Sequence, residues 1–110
     1  MAKHEDALIV IQLSRWSTEI NLSGAMKEIF ADGFDASNGA ADNDSVRTVL
    51  HFGETVASLV KHHVLDWDLI SDLFDITGMW TQVKASAEYE RNRHSEPRLY
   101  EHFEALATRS

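Results

Sequence analysis

Residues 45–64, Ser45-Val46-Arg47-Thr48-Val49-Leu50-His51-Phe52-Gly53-Glu54-Thr55-Val56-Ala57-Ser58-Leu59-Val60-Lys61-His62-His63-Val64, decide the class of fold. Their apolar members recur in steps of three and four, and at about 100° per residue they cover roughly half of a helical cylinder. Arg47, His51, Glu54, Ser58, Lys61 and His62 share the other half. So wide an apolar face belongs to a central helix that touches several neighbours. Asn43, Asp44 or Ser45 can cap its start, and the turn after it falls at His63 to Leu65.

Working toward the C-terminus, Asp66 can cap the next helix, along which Leu69, Leu73, Ile76, Trp80, Val83 and Ala87 form one stripe. Ile70, Phe74 and Thr77 flank that stripe, while Met79, Tyr89 and Trp67 lie off it. The stripe keeps its phase through Gly78. Either one helix runs from Asp66 to Arg93 or two helices break close to that glycine, which costs about 1 kcal/mol relative to alanine. Ser95-Glu96-Pro97 reads as a new start with proline in the first turn, and Leu99, Tyr100, Phe103, Leu106 and Ala107 pack the last helix.

Toward the N-terminus, a first helix starts near Glu5 or Asp6 and ends near Trp16 to Thr18, with Ser17 as cap of a second. Leu22, Met26, Ile29 and Phe30 line the second, which stops at Asp32-Gly33. Phe34 to Asp44 is dense in small and acidic residues without periodicity, and reads as a mobile loop dispensable for folding. The expected architecture is all-α, a compact bundle of four to five helices forming a single domain over residues 1–110.

Composition narrows function by exclusion. The chain has 110 residues, 44% of them apolar, and no cysteine, which removes disulfide frameworks, thiolate metal sites and cysteine nucleophiles. A formal charge of −8 argues against direct nucleic-acid binding and against anionic membranes. The most apolar run, Ala7 to Ile11 with Leu13, falls short of the about 20 residues a bilayer span needs. Glu5 and Asp6 precede it where a signal peptide would be basic, so the chain reads as a mature, untargeted, cytoplasmic protein.

Six histidines, His4, His51, His62, His63, His94 and His102, call for a metal test, and the spacing fails it. Neither H-E-x-x-H nor a repeated Glu-x-x-His occurs, and His51 with Glu54 is the one histidine–carboxylate pair one turn apart on the polar side of the central helix. Serines sit at caps or polar faces, and the glycines form no phosphate loop. No cofactor is expected. Asp66, Asp68, Asp72 and Asp75 make an acidic face, read as solvated helix surface, with Asp66 and Asp68 at a helix start. Arg91, Arg93, His94 and Arg98 gather the opposite charge, either to clamp a partner's anion or to pair with Glu88, Glu90, Glu96, Glu101 and Glu104.

Val64-Leu65-Asp66-Trp67-Asp68-Leu69, then Trp80, Arg91 or Arg93, then Pro97-Arg98-Leu99-Tyr100-Glu101-His102-Phe103-Glu104-Ala105-Leu106, give an ordered set of features. In these the second half, Arg47 to Ala107, resembles an uncharacterised bacterial all-helical family, the domain of unknown function 4760. The resemblance implies a helical fold and carries over no catalytic residue.

The expectation is therefore a nonenzymatic helical domain that works through a protein partner, as a homodimer or as an acidic component of a larger assembly. The first helix is the candidate contact, with Leu8, Val10 and Ile11 facing away from Ile9, Leu13 and Trp16. Two rivals are an inhibitor of phage or plasmid origin that mimics nucleic acid through Asp66 to Asp75, and an enzyme built on His51, Glu54 or the Arg91 to Arg98 cluster.

Overall fold

The wide apolar face of the central segment demands neighbours on several sides, and a computed structural model that describes residues 4–37 and 43–109 supplies them. Six helices follow in order: α1 (His4–Glu19), α2 (Leu22–Ile29), α3 (Asp44–Lys61), α4 (Trp67–Leu73), α5 (Ile76–Arg93) and α6 (Glu101–Ala107). The described residues are all-α. Asn43 caps α3 by accepting the Val46 N–H at 3.0 Å. The helix then packs against α2, α5 and α6, burying Val49, Leu50, Phe52 and Val56 completely.

Among the described residues there are six helices where four or five were expected, and the stretch from Asp66 to Arg93 is two of them. Phe74 turns extended (φ −134, ψ 137) and Asp75 starts α5 by accepting the Gly78 N–H at 3.0 Å. The break lies at Phe74 and Asp75, close to Gly78, as the second of the two alternatives had it. A Cβ on Gly78 would fall 2.1 Å from the Asp75 carboxylate, so the glycine makes room for the cap. The extended residue also sends Phe74 inward, its ring 5.1 Å from that of Phe52, while Leu73 is left 48% exposed. Met79, off the expected stripe, is fully buried and widens the buried face of α5 that Ile76, Trp80, Val83 and Ala87 form.

Three other junctions differ from the sequence reading. Ser17 does not cap α2; its hydroxyl donates to the Ser14 carbonyl inside α1. Asn21 caps α2 instead, in a left-handed conformation (φ 55) that asparagine tolerates, accepting the Gly24 N–H. Pro97 lies in a turn ahead of α6, which begins only after Tyr100 at φ 61. Finally, the loop expectation is corrected at its start. Phe34 packs against the core, Ala36 is buried, and the Ala36 carbonyl accepts the buried Ser86 hydroxyl. Residues 38–42 of that segment lie outside the described residues.

Candidate functional site

α1 leans chiefly on α2, and Leu8, Ile11, Gln12, Ser14 and Arg15 are exposed along it. Taking Leu13 as the inward direction, Ile9 and Trp16 fall within about 60° of it, whereas Ile11 and Leu8 lie about 140° to 160° away. The burial follows that geometry. Leu13 is buried, Ile9 and Trp16 pack on the core, and the Trp16 ring stands 5.3 Å from Phe52. Leu8 is 53% exposed and Ile11 59% exposed on the opposite side. Val10, expected to face away with them, is instead half-buried on the flank, about 60° from Leu13. Ala7 to Ser14 contains no charged residue, so over these two turns the outward face is uncharged on a chain of net charge −8, and the exposed Arg15, about 160° from Leu13, closes it at its C-terminal end.

The acidic residues are partly engaged in ending and starting helices. Asp66 accepts the Asp68 N–H at 3.0 Å and Asp75 that of Gly78, which places one carboxylate cap at the start of α4 and one at the start of α5. Asp68 stands exposed in the first turn of α4, where its charge favours the helix dipole, and Asp72 is exposed farther along.

The arginines turn to neighbours within the chain. Arg91 Nε donates to the Leu99 carbonyl at 2.7 Å and its Nη2 lies 3.0 Å from Glu104 Oε1, an ion pair without the alignment of a hydrogen bond. The same guanidinium stands 5.7 Å over the Trp80 ring. Arg98 grips Glu101 through two bonds of 2.8 and 3.0 Å, and this holds the Glu101 carboxyl below the usual glutamate range. Arg93 and His94 flank the buried Glu90 at 3.8 and 3.1 Å. Burial, followed by the charge of Glu90, pushes the Tyr100 phenol up.

His51 and Glu54, the pair considered for metal or acid–base chemistry, do not act on a common point. The His51 ring lies 6.3 Å from Tyr100, and Glu54 accepts the Phe103 N–H at 2.8 Å, capping α6 from across the helix interface. Among the described residues no three His, Asp or Glu side chains converge as a metal site, and no helix is long and apolar enough to cross a membrane. One grouping escaped the sequence reading: Lys61, His63, His102 and Arg109 meet at a groove between α3 and α6. They sit about 40 residues apart in pairs, so no local spacing signalled them.

The architecture is that of a small all-helical domain with an exposed apolar pair, Leu8 and Ile11, on the outer side of α1. The model of the family described as domain of unknown function 4760 matches residues 1–110, and the chain belongs to that family. The match spans the whole chain, correcting the expectation that the likeness is confined to the second half. No curated protein and no solved structure matches it.

Proposed function

We propose that the chain is a nonenzymatic protein–protein interaction domain that pairs with a second copy of itself through the outer face of α1. The observation that carries this reading is the exposure of Leu8 (53%) and Ile11 (59%), one turn apart on an uncharged strip. Two copies carrying −8 each repel one another over most of their surfaces, so an uncharged apolar face is where they meet at least cost. A two-fold arrangement sets the same strip against itself. At 1.5 Å per residue α1 is about 24 Å long, which gives less than the about 800 Å² per partner of a tight complex. Association in the micromolar range follows. The absence of cysteine suits a reducing bacterial cytoplasm as its setting.

Sedimentation of the intact chain across the micromolar range tests this. A dimer that Ile11→Glu converts into a folded monomer supports it, since Ile11 makes no part of the core; a monomer throughout, at 12.4 kDa, overturns it.

A further inference from the structure

The C-terminal turn of α3 and the length of α6 enclose a groove of about 440 Å³, within the range of small-molecule sites. Ala57, Val60, Ala105 and Leu106 make its floor. Lys61, His63, His102 and Arg109 make its rim, and among the described residues that line it none is acidic. That is the reverse of the chain as a whole, where eighteen acids outnumber ten bases. Arg109 is held in place by stacking 5.5 Å over the Trp67 ring. Glu101, whose charge reaches both Lys61 and His102, is already gripped bidentately by Arg98. His102 Nε2 also lies 3.7 Å from Glu101 Oε1, whereas among the described residues no carboxylate pairs with Lys61 or Arg109, and these two cations are the ones left available to an incoming anion.

We infer that this groove binds a small amphipathic carboxylate, with an alkyl body on the aliphatic floor and its anionic head between Lys61 and Arg109. An apolar floor alone would accept an alcohol or an amine as readily; the basic rim selects the acid. The groove shares no residue with the α1 strip, so it stands or falls independently of self-pairing.

The test is a titration of octanoate, 1-octanol, octylammonium and acetate into the full ¹⁵N-labelled chain, followed by amide shifts. Octanoate should shift the amides of Ala57, Val60, Ala105 and Leu106 saturably, in the low millimolar range typical of so small a ligand. Octylammonium and acetate should leave them in place. Replacing Lys61→Gln and Arg109→Gln together should weaken octanoate roughly tenfold, the loss of a charge-assisted head contact. Cations near helix C-termini also offset the macrodipole, so the melting temperature of the double variant is read separately. A lower melting temperature with unchanged octanoate affinity would assign the cations to the helix ends and overturn the inference. So would octanol binding as tightly as octanoate, or no saturable shift at all.

Discussion

Trp80 is 4% exposed, its ring stands edge-on to Phe103 at 5.2 Å, and the Arg91 guanidinium covers it from α5. Trp80→Ala removes a fully packed aromatic and should cost about 3–5 kcal/mol, a large share of what a domain of this size holds. Chemical denaturation measures it, and an unchanged midpoint would contradict the packing. Gly53 shows the complementary case. A Cβ there would fall 2.3 Å from the Phe103 ring, so α3 and α6 approach as closely as they do because position 53 has no side chain. Both roles were only half legible. The stripe marked Trp80 as core, but the sequence carries no sign that Gly53 and Phe103, fifty positions apart, touch. Glu101 adds a titration. Arg98 holds its carboxyl low, so this pair's contribution is present above the ordinary glutamate pKa and is lost as the pH falls through the lower folded value. In Arg98→Ala the Glu101 carboxyl, followed by NMR, should titrate at a higher pH than in the parent; no displacement would show that the pair does not form in solution.

At the scale of elements, the caps decide where helices begin, and some were readable because a cap is local chemistry. Asn43 before α3 and Asp66 before α4 stand at their places because a short polar side chain precedes an apolar periodic run. Asp75 did not stand out, since the stripe kept its apparent phase across it. The extended Phe74 that separates α4 from α5 is stabilised by the Phe52 contact, a tertiary cause invisible to periodicity. α6 is the extreme case. It has seven residues, too few to persist alone, and its start carries no side-chain cap of its own. The cap comes from α3, where Glu54 accepts the Phe103 N–H. Glu54→Ala should therefore cost about 1–3 kcal/mol, as expected for a charged group's bond to a part-buried backbone donor. Hydrogen exchange should then speed up in α6 before α3; equal protection in the variant and the parent would remove the capping role. The same logic revises the segment after α2. Composition alone made it a free loop, but Ala36 offers its carbonyl to Ser86 on α5 and is buried doing so.

At the scale of the whole molecule, charge and apolar exposure act in opposite directions on self-pairing, and salt separates them. Each copy carries −8, so the electrostatic work of bringing two together is unfavourable and is reduced by screening. The apolar gain from Leu8 and Ile11 is not screened, and strengthens slightly with salts that are excluded from protein surfaces. A dimer held by α1 must consequently tighten as sodium chloride rises from about 20 mM, where the Debye length exceeds 20 Å, to about 500 mM, where it is near 4 Å. An association built on the acidic face would do the reverse, because Asp68 and Asp72 can attract only a basic partner whose hold salt weakens. Sedimentation equilibrium at both salts reads the dissociation constant directly. If the dimer loosens at high salt, charge pairing and not the α1 strip holds it. If it tightens, and Leu8→Glu abolishes it at both salts while the helical circular dichroism is kept, the strip on α1 is the interface and the acidic surface serves to keep every other approach apart.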